Sequence, residues 1–228
     1  MIQRRIRKSA AFFVFLCVRI FEFCVCLHVC FPLPYWNQLK RNMIYINENT
    51  DELDITSALP EVSAQRREQA LKFRHEKGRR LSLAVYLLLK KGLREEFGIT
   101  ENPVFGYSPE GKPFLPDHPD IHFSFSHSGS VALCAIDRVP VGADVEVPRK
   151  ITPELTTYTM NGEEVSRITA SEDPQIAFLS LWTKKEAVLK LTGEGIRNNM
   201  KNVLTDSDKY LIETVTTKNY IFSIARYK

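Results

Sequence analysis

Ile121-His-Phe-Ser-Phe-Ser-His-Ser-Gly-Ser-Val-Ala-Leu-Cys-Ala-Ile-Asp-Arg-Val-Pro-Val-Gly-Ala-Asp-Val-Glu-Val147 carries three strand signals in succession. In the first, Ile121, Phe123 and Phe125 alternate with His122, Ser124 and Ser126, the period-2 pattern of a half-buried strand. In the second, Val131–Ile136 is apolar without interruption, as expected of a strand covered on both faces. In the third, Val141, Ala143, Val145 and Val147 point one way, leaving Asp144 and Glu146 together on the other face.

Working outward, residues 64–97 read as helical, with Leu71, Leu81, Val85, Leu88 and Leu89 at mostly helical spacing and Ser57 or Ser63 as the cap. Gly78 and Gly92 are the places where that stretch is expected to break. Prolines at 103, 109, 113, 116 and 119 predict an ordered loop over 98–120. Met43–Ile46 reads as a short strand. Helical patterns return at 162–170 and 174–193, and strands are expected near 202–205, 210–215 and 220–226. Strands and helices recurring in both halves indicate an α+β fold.

The chain has 228 residues, of which 44% are hydrophobic and 25% charged, a globular composition. Its net charge of +4 is not spread evenly. Residues 1–42 hold seven Lys/Arg and one acid, leaving 24 basic and 26 acidic residues in 43–228, so nucleic acid is not the expected partner. Four of the five cysteines (Cys17, Cys24, Cys26 and Cys30) also precede residue 31. With Cys134 alone in the remainder, no disulfide framework is available and the body reads as cytoplasmic. Residues 10–34 are apolar behind a basic run, but a small-residue cleavage site is missing and Arg19 and Glu22 interrupt any membrane span. The expectation is that 1–42 is a leader foreign to the domain, with Met43 the native start. An anchor through residues 10–34 is the alternative.

Four constellations bear chemistry. Asp144 and Glu146 set like charges side by side, which water or a cation must relieve; paired hard oxygens suit magnesium, although a D-x-E on a strand is more often a solvated face. Trp182, Glu186 and Lys190, four apart, form one stripe of a helix that ends at Gly193-Glu-Gly195. Ser126-His-Ser-Gly129 reads as a turn offering hydroxyls, an imidazole and free N–H groups to an anion. No G-x-S-x-G elbow accompanies it, which argues against a serine hydrolase. Gly111-Lys112-Pro113 occupies the rigid loop, and Arg66, Arg67, Arg79 and Arg80 mark the first helical region, Arg forks being suited to phosphate.

In this order, Gly111-Lys-Pro-Phe-Leu-Pro116, Phe125-Ser-His-Ser-Gly129, Val141-Gly-Ala-Asp-Val-Glu146 and Trp182-Thr-Lys-Lys-Glu-Ala-Val-Leu-Lys190 resemble the 4′-phosphopantetheinyl transferases, specifically the surfactin-synthetase-activating type. The resemblance runs from about Met43 to the last strand and leaves 1–42 without a counterpart. It implies two fused, pseudo-symmetric halves, about 43–140 and 141–228, acting as a monomer because the cleft between them forms the active site. It also implies Mg²⁺-dependent transfer of phosphopantetheine from coenzyme A to a serine of an apo acyl or peptidyl carrier protein. Asp144 and Glu146 would hold the metal, with Glu164 completing the set and Glu163 as the alternative. Glu186 would take the serine proton and Lys190 would neutralise charge on the diphosphate as 3′,5′-ADP departs. Ser126 and His127 would meet coenzyme A phosphates beside Asp144, Gly111, Lys112 and Pro113 would line the nucleotide, and Arg80 and Arg66 would grip the 3′-phosphate. The chain departs from the family at Ser124, where Asn is common, and at Met160-Asn161, where Phe-Ser is common. A catalytically silent relative that only binds coenzyme A or a carrier would lack a metal acid, Glu186 or Lys190, and this sequence has them all.

Overall fold

The computed structural model describes residues 43–195 and 200–228; the expectations for residues 1–42 lie outside them. Eight strands and six helices follow in the order β1 (Met43–Asn47), α1 (Ile55–Ala58), α2 (Ala64–Leu71), α3 (Glu76–Phe97), β2 (Gly106–Tyr107), β3 (Pro113–Phe114), β4 (His122–Ser128), β5 (Val131–Asp137), β6 (Val141–Glu146), α4 (Pro153–Thr159), α5 (Gly162–Thr169), α6 (Pro174–Thr192), β7 (Tyr210–Thr216) and β8 (Ile221–Tyr227). The fold is α+β. Among the described residues no helix is long and apolar enough to cross a membrane.

Two antiparallel three-stranded sheets repeat one connectivity, β1-β5-β4 and β6-β8-β7. In each, a first strand is followed by helices, the longest last, and then by a hairpin whose second strand returns beside the first. The apolar run of β5 is buried throughout, as its lack of alternation predicts. One face, with Val131, Leu133 and Ala135, meets Val141, Ala143 and Val145 of β6 and Ile224 of β8 in a core shared by both sheets. The opposite face packs on α3 through Leu83, Tyr86, Leu89 and Leu93. Helix α6 covers the second sheet, with Ala187, Val188 and Leu191 against Ala225.

The predicted helix over 64–97 is two helices. Ser63 caps α2 by accepting from the Arg66 N–H. The break falls at 72–75 and not at a glycine: Phe73 leaves the helical path to lie on Gly78, and Arg79 Nε donates to the Phe73 carbonyl at 2.9 Å. Ser126, His127 and Ser128 belong to strand β4 and not to a turn. The turn is Gly129-Ser130, with Gly129 at φ +60°, where a two-residue hairpin wants glycine first. No strand forms at 202–205, where a short 3₁₀ turn covers Met200–Asn202. Helix α4, with Thr152 as its cap, has no helical pattern in the sequence because Leu155 is the one residue of its span that packs in the apolar cluster against α6.

Candidate active site

Strand β6 runs beside β4, and three serine side chains stand where a backbone ladder would be. Ser124 Oγ accepts from the Ala143 N–H at 2.9 Å. Ser126 Oγ donates to Asp144 Oδ1 at 2.7 Å, and Ser128 Oγ donates to Glu146 Oε2 at 2.6 Å. The alternating serines of β4 thus orient both acids of β6, and Ser124 supplies a cross-sheet contact.

Helix α6 lies over the same strand. Its stripe faces the acids: Trp182 Nε1 donates to Glu146 Oε1 at 3.1 Å, and Lys190 Nζ donates to Asp144 Oδ1 at 2.7 Å. Between them sits Glu186, only 7% exposed. Its carboxyl is pushed up to about 7, first by burial and then by the charge of Asp144, with Lys190 opposing and Glu146 adding to the rise. Asp144 is 4% exposed, so it does not stand on an open strand face as the alternation suggested. Burial raises its pKa against the pull of Lys190 and Ser126.

Two buried carboxylate oxygens, Asp144 Oδ2 and Glu186 Oε1, have no hydrogen-bond partner among the described residues. Such atoms are costly unless something satisfies them. Hard, unpaired oxygens beside a second carboxylate fit a small divalent cation such as magnesium.

Glu164 requires a correction. Its Oε2 accepts from the Asn161 N–H in a capping box and from Lys185 Nζ at 2.6 Å. Lys185 has no solvent exposure and also donates to the carbonyls of Thr159 and Met200. Glu164 is therefore held in a buried ion pair, and among the described residues no three metal-ligating side chains converge. Glu163 is exposed and pairs with Arg167. The acid that feels both Asp144 and Glu146 is Glu186. Lys185 was missed in the sequence, although a lysine at helical spacing with Phe178, Leu181 and Val188 was the available signal.

A cavity of about 430 Å³ opens in front of Asp144 and Lys190, walled by Arg66, Ser126, His127 and Tyr107. A second, of about 360 Å³, adjoins it through Gly111, Pro113, Phe125 and Lys190 and reaches Glu186 and Lys112. Arg66 is buried, with its guanidinium 5.0 Å from the Phe105 ring centroid and 5.5 Å from that of Tyr86. Its Nη1 donates to Ser82 Oγ and its Nε has no partner among the described residues, so it keeps donor capacity at the cavity wall. Arg80 does not line either cavity; its Nε donates to the Leu53 carbonyl and its Nη2 pairs with Glu76. Lys112 Nζ donates to the Leu191 carbonyl at 2.9 Å, so it fastens the proline-rich loop to the C-terminal end of α6.

The family model described as the 4′-phosphopantetheinyl transferase superfamily matches residues 140–225, which span β6, α6 and the last hairpin. A 4′-phosphopantetheinyl transferase from Bacillus subtilis is 32% identical over 138 residues, covering 59% of this chain and 62% of that protein. The 4′-phosphopantetheinyl transferase Sfp of Bacillus subtilis strain 168 is 28% identical, covering 67% of this chain and 70% of that protein. The 4′-phosphopantetheinyl transferase psf-1 of Bacillus pumilus is 30% identical, covering 66% of each. The matched stretch is thus roughly two thirds of these relatives' length. These matches and the site on β6 and α6 agree: the chain belongs to the 4′-phosphopantetheinyl transferase superfamily, in its Sfp-like type.

Proposed function

We propose that residues 43–228 transfer the 4′-phosphopantetheine group of coenzyme A to a serine of an apo acyl or peptidyl carrier protein, releasing 3′,5′-ADP, with Mg²⁺ as cofactor. The observation that carries this reading is Glu186: a buried carboxyl beside Asp144 and Lys190, with one oxygen unpartnered among the described residues, pushed up by burial to about 7 in the metal-free protein. Such a group accepts a proton at neutral pH and releases it again, which suits a general base.

Asp144 and Glu146 would hold the cation, whose contribution when bound is to withdraw charge from the diphosphate under attack. The carrier serine oxygen bonds to the phosphorus of the phosphopantetheine arm while its proton passes to Glu186. The phosphorus–oxygen bond to the nucleotide breaks. Lys190, 30% exposed at its side chain, would turn from Asp144 to the 5′-phosphate of the departing 3′,5′-ADP and neutralise the charge left on its bridging oxygen. Arg66 and His127 take anionic parts of coenzyme A along the cavity wall, and Gly111, Lys112 and Pro113 shape the wall beyond Lys190.

One chain supplies both sides of the cleft, which supports a monomer. The repeated connectivity of the two sheets supports reading 43–140 and 141–228 as pseudo-symmetric halves. A cytoplasmic location accords with the use of coenzyme A and with Cys134, a buried free thiol. The test is incubation with a fluorescent coenzyme A conjugate, Mg²⁺ and apo carriers of both the fatty-acid and the peptide-synthetase kind. Label on at least one carrier serine is the expected result. No label on any would overturn the reading.

A further inference from the structure

The elbow between α2 and α3 differs from the rest of the molecule. Residues 66–80 hold seven basic side chains against two acidic ones, whereas the remainder of 43–228 holds 17 against 24. Residues 71–77 are all exposed. Lys72 pairs with Glu68 in solvent, whereas among the described residues no ion pair holds Arg74 or Lys77. Amid these charges stand Leu71, 49% exposed, and Phe73, 45% exposed.

Phe73 is not a loose surface ring. It rests on Gly78, where any added Cβ would fall 2.8 Å from the Phe73 ring carbon Cδ1. Glycine within a helix costs about 1 kcal/mol relative to alanine, and here it makes room for an exposed aromatic side chain. The Arg79–Phe73 carbonyl bond pins the backbone of the same residue. A fixed, half-exposed aromatic with basic residues flanking it in the chain is the arrangement of a protein-docking anchor: the ring supplies contact area at little entropic cost, and the flanking charges steer encounter. The surface also continues into the cleft, because Phe73 and Gln69 wall the cavity that contains Asp144 and Lys190.

We propose that this elbow, Leu71 to Lys77, docks the carrier protein, with Phe73 seated in an apolar patch of the carrier and Arg74 and Lys77 facing an acidic surface beside its acceptor serine. The inference rests on the transferase reading above. An anionic membrane would also attract cations around an exposed phenylalanine. The carrier is favoured because the elbow borders the place where the acceptor serine must enter.

The test compares wild type, Phe73→Ala and Arg74→Glu/Lys77→Glu in steady-state labelling of an apo carrier, with carrier and coenzyme A varied separately. The double reversal is expected to raise the carrier KM about tenfold or more and to flatten the salt dependence of kcat/KM. Phe73→Ala is expected to raise the carrier KM by a similar factor, and the double reversal to leave the coenzyme A KM within about twofold. Unchanged carrier KM in both variants overturns the inference. So does a rise confined to the coenzyme A KM, which would assign the elbow to the nucleotide. Co-sedimentation of wild type with phosphatidylglycerol vesicles, lost on charge reversal without a change in carrier KM, overturns it in favour of a membrane. Failure of wild type to label any carrier removes the function reading and this inference together, an outcome distinct from the other three.

Discussion

Gly142 of β6 lies directly beneath Ala187 of α6, so close that a Cβ at position 142 would overlap the Ala187 carbonyl oxygen and approach Leu191 Cα to 2.9 Å. The strand that carries Asp144 and the helix that carries Glu186 and Lys190 therefore meet backbone to backbone. That approach brings Lys190 Nζ to 2.7 Å from Asp144. Gly142→Ala would force helix and strand apart, since backbone cannot turn aside as a side chain can. Overpacking of this kind costs about 1–3 kcal/mol or more. The expected outcome is a lower midpoint in urea together with a loss of labelling greater than the unfolded fraction explains.

The raised carboxyl of Glu186 has a consequence for stability in metal-free protein. Its folded pKa of about 7 exceeds the ordinary 4.5, so the folded state binds the proton more tightly and loses stability as pH rises between those values. Ionising it in place costs about 3 kcal/mol by pH 8. Glu186→Gln, measured in the presence of a chelator, is therefore expected to match wild type at pH 4 and to exceed it increasingly up to pH 8. A stability difference independent of pH would contradict the assignment.

Glu164 and the metal acids separate in a magnesium titration. Glu164→Gln keeps the capping box, because a glutamine at that position still accepts from the Asn161 N–H, but it deprives Lys185 of its counter-charge. Breaking a buried pair costs about 3–5 kcal/mol. A lower melting temperature with an unchanged magnesium concentration for half-maximal labelling is expected. Asp144→Asn and Glu146→Gln should instead raise that concentration or abolish labelling.

Most strands and the helix over 174–192 are legible in the sequence because their periodicity is strong, and the stripe Trp182, Glu186 and Lys190 emerges as one face because helical spacing is rigid. What the sequence did not carry depended on contacts between elements. Asp144 was expected on an open face, since alternation on β6 reveals which side a residue occupies but not that α6 covers it. Glu164 was drawn into the metal set by resemblance in order, whereas its partner Lys185 is set by how α4, α5 and α6 pack. Arg80 ahead of Arg66 was the expected phosphate ligand. Only the packing of Tyr86 and Phe105 shows that Arg66 reaches the cavity while Arg80 is tied to Glu76 and Leu53.

Removing either member of the Asp144–Lys190 pair should have unequal effects on the fold. Lys190→Ala leaves a carboxylate that is 4% exposed with only Ser126 to bond it, and an uncompensated buried charge is strongly unfavourable. Asp144→Ala leaves Lys190, whose side chain is 30% exposed and whose flexible stem can carry the ammonium into water. In metal-free protein at pH 8, Lys190→Ala is therefore expected to cost about 1–3 kcal/mol and Asp144→Ala distinctly less. Labelling should run the other way: Asp144→Ala abolishes it through loss of the cation site, and Lys190→Ala reduces it through loss of charge on the leaving side. Glu186→Ala should reduce labelling more than Lys190→Ala, since it removes the proton acceptor. The opposite order for the last pair would exchange their roles, and equal stability losses would mean that Asp144 is already neutral beside Lys190.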